Sequence, residues 1–200
     1  DHSIPFVSIS ILFRGGASVD ALGKRGAVNL MAATLEEGAG DMDATAFAEA
    51  VQEQAASIGF DAGDDAVSVS ARMLTENRDA SAELLRAALV EPRFDAAAVD
   101  RVRTQVQAAI RAEETDPNAI AATTLARETW GDHPYGSSIN GTADSVAGLT
   151  PDDLRAAKDR VLARDRVLVA AAGDITPGEL GALMDRVLGD LPATATAPLP

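Results

Sequence analysis

The sequence predicts an α+β fold: a mostly antiparallel sheet with helices packed on it. Three observations predict it. Strand-like and helix-like segments do not alternate one for one; their order reads β-α-α-β-β-α-α-α-α-β-α. Residues 60–73 read as two strands joined by a tight turn, which forces an antiparallel pair. The 200 residues are 46% hydrophobic and 24% charged, and a chain of that length buries roughly 70% of its unfolded surface without any staple.

The elements follow in order. Residues 6–13 place Val7, Ile9, Ile11 and Phe13 on one side and Ser8 and Ser10 on the other, the pattern of a half-buried strand. Arg14-Gly15-Gly16 ends it, and residues 17–23 form a polar connection. Val28, Leu30, Met31 and Leu35 have helical spacing, so a helix is expected over 25–37, stopped by Gly38-Ala39-Gly40. Asp43 is a natural N-cap for a second helix over 44–58. The hairpin turns near Gly63-Asp64-Asp65. Helices over 78–90 and 95–114 are separated by Pro92 and closed by Asp116-Pro117. Another helix is expected over 118–130, then a loop with His133-Pro134-Tyr135-Gly136 and Gly141-Thr142. Thr150 caps and Pro151 opens a helix reaching residue 164. Residues 167–172 form a short apolar strand, and a last helix begins after Gly173-Asp174-Ile175-Thr176-Pro177 and runs to residue 188. Residues 1–191 then make a single domain. The Pro-, Ala- and Thr-rich residues 192–200 read as a linker or truncated tail.

Composition excludes several kinds of chemistry. Cysteine is absent, which removes disulfides, thiolate metal sites, iron–sulfur clusters and a thiol nucleophile. The net charge is −14, from 31 acidic and 17 basic residues without a basic stripe; such a field repels phosphate backbones, so no nucleic-acid partner is expected. No run of 18 apolar residues is present, so no membrane span is expected. No basic and then apolar leader opens the sequence, so no signal peptide is expected in it.

Motifs for catalysis are also missing. Gly38-Ala39-Gly40 has no third glycine and follows a helix, whereas a dinucleotide site needs a strand before the glycines. The two histidines, His2 and His133, lie at the start and in a loop. Gly136-Ser137-Ser138 lacks the strand-turn-helix context of a nucleophile elbow. The pairs Glu36/Glu37, Asp64/Asp65, Glu113/Glu114 and Asp152/Asp153 read as solvated ends of elements, because adjacent helical residues diverge by about 100°. No catalytic, metal-binding or cofactor-binding residue is assigned, and no cofactor is expected.

Several stretches, taken in order, resemble the pitrilysin/insulinase metallopeptidase family, which includes the mitochondrial processing peptidases. Arg14-Gly15-Gly16-Ala17-Ser18 resembles its F-R-x-G-S strand exit, and Lys24-Arg25-Gly26-Ala27-Val28 its K-x-G-L-A entry to the metal-binding helix. Asp116-Pro117, His133-Pro134-Tyr135-Gly136, Gly141-Thr142, residues 149–154 and Ala172-Gly173-Asp174-Ile175 follow in the family's order.

The resemblance implies a specific deficit. Active members carry H-x-x-E-H, in which histidines at i and i+4 bind Zn²⁺, the glutamate is the base, and a glutamate on a later helix is a further ligand. Aligned on Gly38, the segment here reads Asn29-Leu30-Met31-Ala32-Ala33. Asn29 stands for the first histidine, Ala32 for the base and Ala33 for the second histidine. The distal ligand falls at Ala108 or Ala109. Asn29, Ala32 and Ala33 are then expected on one helix face near Ala108 or Ala109. The implied role is the N-terminal half of a non-catalytic subunit. It would help form a substrate chamber, bind extended peptide and pair with a catalytic sister subunit as a hetero- or homodimer. Alternatives are a zinc endopeptidase with displaced ligands and a purely structural scaffold. Bacterial relatives imply a periplasmic or otherwise exported location, with the cytoplasm as the alternative.

Overall fold

A computed structural model describes residues 3–199; His2 lies outside the described residues. Strand β1 (Phe6–Arg14) follows the expected alternation: Val7, Ile9, Ile11 and Phe13 are buried. Helix α1 (Ala27–Thr34) follows, then a two-residue ribbon of β2 (Gly38–Ala39) and β3 (Met42–Asp43). Helix α2 (Ala44–Glu53) is capped by the Asp43 carboxylate, which accepts from the Ala46 N–H at 2.9 Å. Strands β4 (Ser57–Ala62) and β5 (Ala66–Leu74) form the hairpin. Helices α3 (Arg78–Val90), α4 (Ala96–Glu113), α5 (Pro117–Trp130), α6 (Ala143–Ala147) and α7 (Pro151–Val161) precede β6 (Val167–Gly173) and α8 (Pro177–Leu188).

The main sheet has the order β4-β5-β1-β6 and all its pairings are antiparallel. In the register, Phe13 lies between Val67 and Val167, and Ile11 between Val69 and Val169. One face therefore carries an unbroken apolar surface. The buried side chains Leu30, Met31, Leu35, Leu85, Leu89, Leu154 and Leu162 come from helices or helix ends and complete the same core. Helix α1 packs against α7, β4 and α4, while α3 packs against α8.

The structure corrects several boundaries. The helix expected over 44–58 ends at Glu53, and Ile58 belongs to β4. Ala55 takes a left-handed φ of 50° at the turn, a conformation no glycine announces. Gly38-Ala39-Gly40 does more than stop α1: Gly38 and Ala39 pair with Asp43 and Met42. A Cβ on Gly38 would lie 2.8 Å from the Met42 carbonyl oxygen. Short α6 was not expected; its Thr142/Ser145 capping box starts it. Helix α7 has the expected Thr150 cap and Pro151 start but stops at Val161 rather than 164.

Two regions differ from the rest in packing. Helix α5 contains no buried residue. Residues 192–199 lie along the body: the Arg164 N–H donates to the Pro192 carbonyl at 2.9 Å and the Thr196 N–H to that of Asp159 at 3.0 Å. Ala197 is buried, and the buried Arg166 guanidinium donates to the carbonyls of Ala197 and Arg14.

Candidate functional site

Asn29, Ala32 and Ala33, which the resemblance aligns with the family's metal-binding motif, lie on α1, and the entrance to that helix is held by a charged hub. The Asp20 carboxylate accepts from the Gly26 and Val28 N–H groups, both at 2.9 Å. It thus meets two donors that the first helical turn leaves without intrahelical partners. Burial pushes the Asp20 carboxyl above its ordinary value, against the opposite pull of those two N–H groups and of Arg25. Arg25 donates to the carbonyls of Ala17, Pro134, Ser137 and Ser138 and to the Asp64 carboxylate. One guanidinium therefore ties the 17–23 connection, the β4–β5 turn and the 134–138 loop to the start of α1.

The expected face of α1 is present but carries no imidazole. Asn29 is half-buried, Ala32 is buried and Ala33 is exposed. The Asn29 amide donates to Asn140 Oδ1 at 2.8 Å, and the Asn140 amide donates to Glu113 Oε1. Ser138 Oγ donates to the other oxygen of Glu113 at 3.0 Å. At the opposite end of α1, the Arg101 guanidinium donates to Glu37. Asn29 is thus linked through Asn140 to the C-terminal end of α4, and Glu37, beyond the end of α1, to its N-terminal part. Ala108 and Ala109 are exposed, whereas Val102, Val106 and Ile110 are buried.

Chemically, this face offers one amide already engaged and methyl groups. An alanine has no lone pair for a metal and accepts no proton, so the donor set does not fit a zinc ion. Among the described residues, no group of three or more His, Asp or Glu could hold a metal. His133 lies exposed on its loop; its Nδ1 accepts the Tyr135 N–H at 3.2 Å, and its ring contacts those of Trp130 and Tyr135.

The paired carboxylates are not simply solvated ends. Glu113 accepts from Asn140 and Ser138, Glu37 from Arg101, Asp64 from Arg25 and Asp65 from the Tyr135 hydroxyl. Asp153 closes the α7 capping box and accepts from Lys24 at 2.9 Å. Sequence reasoning missed Glu113 and Asn140. The signal was Gly141: its φ is 77°, and a Cβ there would lie 2.3 Å from the Arg25 carbonyl oxygen. A glycine so placed marks where a loop touches the helix entrance. Beside this network lies a cleft of about 500 Å³, with Ile110, Glu113, Ile120, Thr123 and Arg127 on its walls.

The edge strand β4 borders α1. Burial pushes the Glu36 carboxyl above its ordinary value, while the Phe60 backbone N–H, from β4, acts to lower it. That N–H therefore points away from β5.

No protein-family model matches the chain. The protein described as "Non-peptidase homolog YmxG" of Helicobacter pylori is 28% identical over 192 residues, 96% of this chain and 44% of that protein. A crystal structure described as a peptidase M16 inactive domain from Pseudomonas fluorescens superposes with a TM-score of 0.92 at 26% identity, over 100% of this chain and 50% of that one. The periplasmic protease PqqL from Escherichia coli superposes with a TM-score of 0.84 at 17% identity, over 98% of this chain and 22% of that one. The chain thus spans about half the length, or less, of the proteins it matches. The fold is that of a peptidase M16 domain, and the chain is similar along its length to a homologue described as a non-peptidase and to a domain described as inactive.

Proposed function

We propose that this chain is the N-terminal half of a non-catalytic subunit that walls a substrate chamber, binds extended peptide and pairs with a catalytic sister subunit. Residues 1–191 form the domain, and residues 192–200 connect it to a second half. The observation that carries the reading is the pairing of α1 with β4. The helix that bears the metal in active members stands in place beside an open sheet edge, without its donors. An edge strand with outward N–H groups is a template for a peptide in extended form. An export location accords with the periplasmic description of PqqL.

The test is peptide binding by the full-length chain, read by fluorescence anisotropy with a labelled extended peptide. Ile58 precedes Phe60 by two, so its N–H leaves the same side of β4. Ile58→Pro removes that donor at an edge position that tolerates proline. Peptide affinity should fall about tenfold, or 1.4 kcal/mol, measured well below the variant's own melting temperature, because Ile58 also packs against the core. Unchanged affinity overturns the reading. Zinc analysis of the same purified protein separates it from an enzyme with displaced ligands, which requires about one equivalent of metal.

A further inference from the structure

Residues 192–199 are composed like a free connector, rich in Pro, Ala and Thr, yet they are tied to the body along their length. The Arg164 N–H donates to the Pro192 carbonyl at 2.9 Å and the Asp165 N–H to that of Ala193 at 3.2 Å. The Ala195 N–H donates to Asp165 Oδ1 at 3.2 Å, and the Thr196 N–H to the Asp159 carbonyl at 3.0 Å. Ala197 is 3% exposed.

The far end of this strap meets Arg166, which is 5% exposed and is the one buried charged side chain among the described residues. Its guanidinium donates to the carbonyls of Arg14 and Ala197. Among the described residues, no carboxylate forms an ion pair with it. Gly15 leaves room for it: a Cβ there would lie 2.5 Å from Arg166 Nη1 and 3.2 Å from Leu199 Cδ2. The exit of β1, the guanidinium and the last residues of the strap are therefore one packed unit.

This arrangement is unfavourable on two counts. Docking a connector gives up conformational entropy, and short Pro, Ala and Thr side chains return little apolar burial for it. A buried guanidinium matched only by carbonyls loses its water without gaining a counter-charge. The two costs share one result: the chain leaves the body at a fixed place and in a fixed direction. A free connector of this length has ends about 15 Å apart on average, in any direction. This one holds its end against Gly15. The Helicobacter pylori relative is more than twice as long as the matched region, which is 44% of it.

We infer that residues 192–199 are a latch, pinned by Arg166, that holds the second half of the longer chain in one orientation. This rests on the proposed reading of residues 192–200 as the connection to that half. Arg166 is a positioning residue and acts through the Ala197 carbonyl. Any hinge between the two halves lies beyond Leu199.

The experiment uses the full-length chain, with any cysteine outside residues 1–200 replaced by serine; residues 1–200 contain none. Gln105→Cys, at an exposed position of α4, and one cysteine on the surface of the second half carry spin labels. Double electron–electron resonance reads the distance between them. The starting chain should give one narrow distribution. Arg166→Met removes the donors at similar volume and should broaden the distribution by about 10–15 Å. Its melting temperature should hold, because an apolar side chain suits a buried site. Thr196→Pro deletes the N–H that reaches Asp159 and should also broaden the distribution, which keeps the test open if Arg166→Met does not fold. A narrow distribution in the folded variants overturns the inference, and so does a broad one in the starting chain. A lowered melting temperature with the distribution still narrow makes Arg166 a structural residue only, and overturns it too. Peptide binding is measured on the same samples. Unchanged distances with intact peptide binding sink the latch alone; broadened distances in variants of a chain that binds no peptide sink the functional proposal alone.

Discussion

The ligand face of α1 and the open face of the sheet are both smooth, yet they are finished in opposite ways. Around Asn29 on α1, the polar groups are satisfied from within the chain: Asn29 by Asn140, Asn140 by Glu113, and Glu113 again by Ser138. On the sheet, Ser10, Ser70, Ala170 and Ala172 are exposed. A surface that has lost a ligand is closed by new hydrogen bonds, because a half-buried amide or carboxylate without a partner costs about 1–3 kcal/mol. The sheet face instead keeps short side chains, with Arg14, Arg72 and Asp61 as the charged residues of its strands.

The largest effect that tests the closed side is at its hub. Arg25→Ala removes donors to four carbonyls and two carboxylates, and it leaves the buried Asp20 with only the more weakly acting Arg160 as a cation. Breaking a buried pair from one side costs about 3–5 kcal/mol. Urea denaturation should show a loss of that order. A loss under about 1 kcal/mol would mean that the loops hold α1 without the guanidinium.

Next in size is a return of the metal. Asn29→His, Ala33→His and Ala108→Glu together place two imidazoles one turn apart and a carboxylate on the facing helix. Ala32 is left alone, since it is buried and a glutamate there would bury a charge. Calorimetry should detect about one zinc per chain, and at a free-metal concentration 100 times Kd the variant should gain about 2.7 kcal/mol of stability. A folded variant that takes up no zinc would show that α1 and α4 do not converge as their ties imply. A smaller change probes those ties directly. Asn140→Leu strands the Asn29 amide and half of the Glu113 carboxylate, and should cost about 1–2 kcal/mol. The same substitution at Asn118, an exposed residue in the first turn of α5, should be close to neutral.

Much of this was legible in the residues, and the parts that were not share a cause. Helix α3 falls at residues 78–90 as read, and α7 begins at Pro151 behind Thr150, because the signals are local: apolar spacing, caps and prolines. The residues at 29, 32, 33 and 108 can be read directly, but their place against the metal-binding motif comes from the family resemblance alone. Asn140 was invisible because it meets Asn29 across 111 positions, and no pattern in either segment announces the other. Glu113 was dismissed for the same reason. The end of α2 was missed because Ala55 takes a left-handed turn with no glycine, an instance of tertiary packing overriding local preference. Short ribbons such as β2–β3 carry too few residues to show a period.

The finest test lies at Glu36, just beyond α1 and beside edge strand β4. Its carboxyl titrates above the ordinary value, chiefly through burial, with Glu37 and Asp61 adding to the shift and the Phe60 N–H opposing it. The folded state therefore favours the protonated form. Glu36 contributes its full stability below the ordinary carboxyl value of 4.5. That contribution is lost as pH rises from there through the raised value, and Glu36→Gln should flatten this part of the stability profile. Peptide binding supplies a second reading of the same group. A peptide that adds to β4 needs the Phe60 N–H, and a carboxylate competes for it more strongly than a neutral carboxyl does. Affinity should therefore rise as pH falls through the raised Glu36 value, by a free energy of about 1 kcal/mol. In Glu36→Gln the affinity should be less dependent on pH. If wild type and variant show the same pH profile, the peptide does not use this edge, and the open face of the sheet becomes the place to look for it.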